Sequence, residues 1–513
     1  MILIFLNQKL LISITKKILA SNQQCKKLLN LTVPNQTKTN NPKVKLTDEQ
    51  VIDKSAKWVV SFFIASAGLW LLAAALLAYI AAAKLTDPFF LSSFEYFTYG
   101  KVKIAQANAF VYGWGGNSIF AISIWIIARL SQAEVRGRVL LITSGVLWNL
   151  GITFGLLGIL DGHMNSHEML EMPNEVWPLL FISYAIITCL IIVLHRSRKY
   201  PDTIAPQWFI LAAILWFPAL FLIAWNGLEI NPSPGTVQSV LSMWFGQNLI
   251  WLWLTPFALG VAYYIIPSII GKPIDKYYLA IFGFWCIATL APWSVVHHLE
   301  GGPVPMWIPA IGTVMSIAMI FPIAVASTNF HATAFKDIDK VWSSLPLRFV
   351  IFGTLSYTIS SYIGVIFSLP SVAKLTQFSI INEFHFNQRV YGFFSMIVFG
   401  AVYHMLPKIT GKEITKSAKS FHFWTSALGV MMLLLAYLIG GLTHGVLAQQ
   451  PALDWTNSVI ASIQPYFLIT EISFIILGFS QLVFVINIWK VLVPNPFENT
   501  GRSKKFVSKA STV

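Results

Sequence analysis

The sequence predicts an all-α integral membrane protein, a bundle of twelve transmembrane helices. Three observations predict it. Of the 513 residues 56% are hydrophobic and only 11% are charged, with a mean hydropathy of +0.66, whereas soluble proteins carry roughly 25% charged residues. The apolar residues fall into long stretches. The basic residues fall into alternate connections between those stretches. Secreted disulfide domains, coiled coils and disordered chains are therefore excluded.

Twelve apolar stretches are each close to or above the roughly 20 residues that a helix needs to cross a bilayer. Proline and glycine inside several of them are tolerated within a helical bundle. The predicted spans are 58–83, 105–128, 139–160, 176–194, 207–225, 241–266, 278–296, 306–328, 349–368, 385–406, 421–445 and 459–489.

The basic residues predict the orientation of the bundle. Thirty of the 35 Lys and Arg residues fall in the two terminal tails and in the connections after the even-numbered spans. The positive-inside rule then places both termini in the cytoplasm of a multi-pass protein in the cell inner (plasma) membrane. The formal charge of +14 is thus a topology signal, and it gives no reason to expect nucleic-acid binding. The opposite face is mildly acidic, as in the connection 161–175.

The ends of the chain differ in composition from the predicted membrane domain of residues 58–490. Residues 1–57 are expected to form a basic cytoplasmic tail, in which the apolar and basic stretch 1–20 favours an interfacial amphipathic helix. A signal peptide remains the alternative. Residues 491–513 are expected to form a basic cytoplasmic C-terminal tail. The three cysteines are far apart, and no CxxCH haem-attachment motif occurs.

Ionisable residues inside spans are functional candidates by default. His297 and His298 are adjacent at the predicted outer end of the seventh span, and His385 lies near the outer end of the tenth. These imidazoles could converge on one metal ion or haem, although such a pair at a helix end is more often a surface feature. Glu383 and Arg389 bracket His385. They form either an interfacial ion pair or a polar pocket that needs a cation or holds an anion.

Several motifs resemble subunit I of the cbb3-type haem-copper cytochrome c oxidases, a superfamily that also includes the nitric oxide reductase large subunit. The likeness runs from about residue 55 to about residue 490. The resemblance implies the twelve-helix fold, reduction of dioxygen with proton pumping, haem and copper cofactors, and partner subunits that carry c-type cytochromes. The motifs are ANAFVYGWGGNSIFA (107–121), MWFGQNLIWLWLTPFALGVAYYIIP (243–267), HHLEGGPVPMW (297–307), GAVYHMLPKITGKE (400–413) and HFWTSALGVM (422–431).

The resemblance also implies a ligand set, of which this sequence retains half. The high-spin haem ligand corresponds to His385, and two of three copper ligands correspond to His297 and His298. The two low-spin haem ligands are replaced by Gln106 and Asn387.

Two further positions depart from the family pattern. The remaining copper ligand is replaced by Gln247, and the helix-7 tyrosine by Ala291. Amide oxygens are poor ligands for haem iron, and Arg389, two residues after Asn387, would point near the emptied site.

Two hypotheses follow. The first is an oxidase subunit I-like protein of a respiratory membrane complex, degenerate because these ligands are lost. The second is a non-redox paralogue that acts as an ion channel or transporter, as a gas or haem sensor, or as a structural subunit. The three retained histidines leave open one haem b, copper, both or neither. Whether the chain is an enzyme is likewise open.

Overall fold

A computed structural model describes residues 48–493. The interfacial helix expected in residues 1–20 and most of the C-terminal tail lie outside the described residues. The prediction of twelve helices long and apolar enough to span a membrane is confirmed, and no strand occurs between residues 48 and 493. The helices are α1 Asp48–Thr86, α2 Tyr99–Ser131, α3 Arg138–Asp161, α4 Trp177–Arg196, α5 Ala205–Ile230, α6 Thr236–Ile270, α7 Tyr278–Leu299, α8 Trp307–Lys336, α9 Leu345–Phe367, α10 Ile381–Thr410, α11 Lys416–Ala448 and α12 Trp455–Leu492.

The first helix extends ten residues further towards the N terminus than hydropathy predicts. It begins at Asp48, so residues 48–57, assigned above to the tail, are helical. An ion-pair cluster explains the extension. Arg129 at the end of α2 donates through Nη1 to Glu49 Oε2 at 2.7 Å and through Nε to Asp53 Oδ1 at 2.9 Å. Each pair joins the polar first turns of α1 to α2.

Three helices form the centre of the bundle. The most apolar 18-residue windows of α2 and α6 are wholly buried, and that of α10 is 89% buried. The corresponding windows of the other nine helices are only 44–50% buried, as expected for helices with one face towards lipid. Polar residues on α2, α6 and α10 therefore face protein, where they must find partners or line a cavity.

Each central helix contains a π-helical stretch just after a polar side chain. The stretches are Ala109–Gly116, Ile250–Leu254 and Gln388–Ser395, and the preceding side chains are Gln106, Gln247 and Asn387. π-Helical stretches are rare in proteins, and those that do occur are often found at functional sites. The candidate site therefore lies where the three central helices depart from regular geometry.

The connections after α1, α3, α5, α7, α9 and α11 meet at one end of the bundle, which we call the histidine end. Lys101 Nζ of α2 donates to the Asp161 carbonyl at 3.3 Å, and Gln377 Nε2 donates to the His298 carbonyl at 2.5 Å. The connection 161–175 does not lie flat at this end. It folds inward, so that Glu171 is buried and Asn108 Nδ2 donates to its Oε2 at 2.8 Å.

Close packing of α8 against α7 fixes the histidine pair. A Cβ added to Gly312 would lie 2.2 Å from the backbone nitrogen of His297. The obstructing atom belongs to the backbone, so it cannot move away by a change of rotamer. Only glycine lets the two helices approach this closely.

We expect Gly312→Ala to destabilise the protein by about 1–3 kcal/mol or more, because overpacking against backbone forces the helices apart. The measurement is thermal unfolding of the purified full-length protein in detergent. Gly100→Ala is the matched control, because an added Cβ there meets nothing within 4 Å. Equal unfolding temperatures for both variants would show that the α7–α8 contact is looser than described.

Candidate functional site

A charged cavity of about 310 Å³ lies at the histidine end. Its wall combines side chains from α2, α6, α7 and α10 with the inward-folded connection 161–175. Cofactor pockets are mostly apolar, with a few polar groups, whereas this cavity carries five charged side chains. They are Lys103, Glu168, Glu171, Glu383 and Arg389.

A second cavity of about 30 Å³ adjoins the first, and it contains no carboxylate. His298, His385 and Arg389 line both cavities. The other residues that line the small cavity are apolar, apart from three serines and one further histidine. These four polar residues are Ser294, His297, Ser316 and Ser361.

Arg389 stands between the two cavities. Its guanidinium carbon lies 4.8 Å from the centre of the Trp251 ring, a cation–π contact. Its Nη1 donates to Gln247 Oε1 at 3.3 Å. Among residues 48–493 no carboxylate lies within ion-pair distance of Arg389, and most of its five N–H donors have no hydrogen-bond partner in that range.

Glu383 pairs with Lys103 and not with Arg389, which corrects the interpretation of Glu383 and Arg389 as an ion pair. Lys103 Nζ on α2 lies 2.6 Å from Glu383 Oε2 on α10. Glu383 also accepts from Asn387, whose Nδ2 donates to the Glu383 carbonyl at 2.7 Å and to Oε2 at 3.1 Å. The alternative interpretation, a polar pocket, is the one that the geometry supports.

The three predicted histidines meet around the small cavity. The rings of His297 and His298 lie 4.1 Å apart between centroids. His297 Nδ1 is engaged by the Ser294 carbonyl at 2.6 Å and the Ser316 hydroxyl at 3.0 Å. The ring of His385 packs edge-on against that of Phe367, with 5.3 Å between the ring centroids. No side-chain hydrogen bond to the rings of His298 or His385 is found in the described part of the chain.

The residues at the two low-spin haem positions do not fit a haem held by two imidazoles. Gln106 and Asn387 are both buried, and both amides are engaged in hydrogen bonds. Gln106 Nε2 lies 3.4 Å from the Tyr391 hydroxyl, and the Tyr391 ring packs 4.5 Å from Phe110 between centroids. Tyr391 thus joins α10 directly to α2, where the resemblance implies a porphyrin.

The copper and high-spin haem positions fit their groups no better. Gln247 stands where the resemblance implies an imidazole, and its amide bridges Arg389 and Glu168, with its Nε2 3.4 Å from Glu168 Oε1. Within residues 48–493 no group of three His, Cys, Asp or Glu side chains is arranged to hold a metal ion. A cationic guanidinium beside His298 and His385 also opposes a metal cation electrostatically. Metal binding by His297 and His298 and haem binding by His385 stay predictions.

Sequence reasoning missed the inward-folded acidic pair Glu168 and Glu171. Gly246 leaves room for Glu168, because an added Cβ there would lie 2.8 Å from Glu168 Cδ, and this contact becomes visible only in the structure. Burial and the neighbouring Glu171 raise the pKa of Glu168 to about 7. Burial also raises the pKa of Glu171. The pair therefore places a proton-exchanging group at the cavity near neutral pH.

The raised pKa of Glu168 predicts how stability depends on pH. In the unfolded chain the pKa is about 4.3, so the folded state binds the proton more tightly. The resulting stabilisation is present at acidic pH and is lost as the pH rises towards and through 7. We expect the unfolding temperature of the wild type to fall more steeply between pH 5 and 7 than that of Glu168→Gln. The exposed Glu175→Gln is the matched control and should retain the wild-type slope. Equal slopes in all three proteins would contradict the placement of Glu168.

Comparison with known proteins agrees with the fold and the motifs. The family model described as cytochrome c and quinol oxidase polypeptide I matches residues 58–479. The cbb3-type cytochrome c oxidase subunit CcoN1 of Stutzerimonas stutzeri is 26% identical over 432 residues, which cover 80% of this chain and 90% of that protein. A cytochrome c oxidase subunit 1 homolog of Agrobacterium tumefaciens is 25% identical over 470 residues, 87% of this chain and 85% of that protein.

A solved structure extends the likeness to three dimensions. The cryo-EM structure of a heme-copper terminal oxidase dimer matches with a TM-score of 0.67 at 11% sequence identity, and it covers 88% of this chain and 85% of that chain. At this identity the match speaks for the fold alone. Together with the family model, which spans more than half of the sequence, it supports one conclusion: this chain belongs to the cytochrome c and quinol oxidase polypeptide I family.

Proposed function

We propose that this chain is the subunit I-like membrane component of a respiratory oxidase-type complex and does not itself reduce dioxygen. Family membership supports the role as a subunit I-like component. The observation that supports the absence of dioxygen reduction is the hydrogen bonding of the Gln106 and Asn387 amides to Tyr391 and Glu383. Without imidazoles at these positions, electrons from an outside donor have no low-spin haem relay.

The proposed setting follows from charge and sequence. Both termini face the cytoplasm of the cell inner membrane, because the basic residues cluster on that side. The histidine end then faces outward. The sequence has no CxxCH motif, so any c-type cytochrome must come from partner subunits, as the family resemblance implies.

A second candidate function is a non-redox paralogue that binds or conducts an ion. The charged 310 Å³ cavity favours it, because a charged and partly unpaired wall suits a hydrated or charged ligand better than a porphyrin. The cavity is lined from α2, α6, α7 and α10 and therefore lies where the resemblance places the cofactors.

Haem and copper content of the wild type tests the proposal. We expect the detergent-purified protein to give no low-spin haem b in its visible spectrum and no stoichiometric copper by metal analysis. The pyridine haemochrome assay gives the number of haems per chain. Two haems per chain together with copper would contradict the proposal. A single high-spin haem would assign a role to His385 and favour a gas or haem sensor.

Restoring the imidazoles tests whether ligand loss alone explains the state of the pocket. We expect Gln106→His combined with Asn387→His to gain no low-spin haem, because Tyr391 and Phe110 bridge α2 and α10. The visible spectrum of the double variant, expressed with a haem supply, checks this. Either single variant is the matched control. A low-spin spectrum in the double variant alone would show that the cavity survives and only its ligands are gone.

A further inference from the structure

Arg389 is a charged group inside the bundle, and no carboxylate of residues 48–493 lies within ion-pair distance of it. Its only side-chain hydrogen bond in that range goes to the neutral amide of Gln247, its guanidinium packs on the face of Trp251, and the phenol of Tyr357 is close enough to interact with it electrostatically. A charge inside a protein without a counter-charge is energetically unfavourable. By contrast, the neighbouring cation Lys103 is paired with Glu383 at 2.6 Å. A negatively charged ligand beside Arg389 would remove this imbalance.

The small cavity offers such a ligand donors and no acceptor of like charge. Arg389 supplies guanidinium N–H groups, and His298 and His385 supply rings without a side-chain hydrogen bond in the described part of the chain. The carboxylates Glu168, Glu171 and Glu383 all line the larger cavity and are absent from the small one. Among the described residues, the carboxylates thus line the larger cavity and not the small one.

We propose that the small cavity binds one monovalent anion of halide size, such as chloride. Arg389 neutralises its charge, and the rings of His298 and His385 donate to it. The ion sits on the side of Arg389 away from the carboxylates.

Size and charge define the class of anion. The volume of about 30 Å³ exceeds the roughly 10–15 Å³ that a cavity needs to hold one water, so a halide ion has room there. Gluconate is several times larger than chloride or bromide. The three carboxylates of the adjoining larger cavity repel a divalent anion about twice as strongly as a monovalent one.

The test is equilibrium binding of radioactive chloride to the purified full-length protein in detergent, with gluconate as the replacement anion. We expect saturable binding of one chloride per chain, competed by bromide and not by gluconate or sulfate. Thermal unfolding gives a second measurement, in which chloride raises the unfolding temperature relative to gluconate at equal ionic strength. No saturable binding would overturn the proposal.

Variants locate the site. Arg389→Met should weaken chloride binding by about tenfold or more, which corresponds to about 1.4 kcal/mol, and Arg389→Lys should retain part of it because the charge is kept. Lys101→Met is the matched control. Lys101 is a cation at the same end that donates to the carbonyls of Glu95 and Asp161 and does not line either cavity. Equal binding in Arg389→Met and Lys101→Met would overturn the assignment to Arg389.

The anion proposal and the proposed function fail in different ways. Haem and copper at full stoichiometry would contradict the proposed function through spectra and metal analysis. Absent chloride binding in a haem-free protein would overturn only the anion proposal. The Arg389→Lys variant keeps the test decisive if Arg389→Met does not fold.

Discussion

The candidate site depends on one constraint, the presence of the Arg389 guanidinium on a central helix of the bundle with no carboxylate of residues 48–493 to pair with it. The side chain is held by Trp251 on one side and by Gln247 on the other. A cation at this position repels a metal ion and attracts an anion. Gln247 accepts a hydrogen bond from Arg389 and donates one to Glu168, and this second bond holds the connection 161–175 in the cavity wall.

The three central helices share one pattern at the positions where the family resemblance implies an imidazole. Gln106 of α2, Gln247 of α6 and Asn387 of α10 each place an amide there, and each amide has a protein partner: Tyr391, Arg389 and Glu383 respectively. An amide both donates and accepts hydrogen bonds, so each of the three can join side chains of neighbouring helices. The proposed change of ligands and the polar contacts around these positions are therefore consistent with each other.

The fold could be predicted from sequence because hydropathy and chain length dictate it. Nine of the twelve predicted spans lie within the helices observed, and the other three extend one residue beyond them. The largest difference, at α1, arises because the ion pairs of Arg129 with Glu49 and Asp53 allow polar residues to remain helical. The candidate site was harder to predict from the sequence than the fold was. The convergence of His298, His385 and Arg389 could be expected from topology, but the partner of Glu383 could not, since Lys103 is 280 residues away in the chain. The inward turn of Glu168 depends on packing against Gly246, for which hydropathy carries no signal.

The most direct test of this arrangement is an experimental density map of the purified full-length protein around α2 and α10. We expect side-chain density for Arg389 over Trp251, with Tyr391 contacting Gln106 and Phe110 between the two helices. Flat, porphyrin-shaped density between Gln106 and Asn387, with Tyr391 turned away, would contradict it.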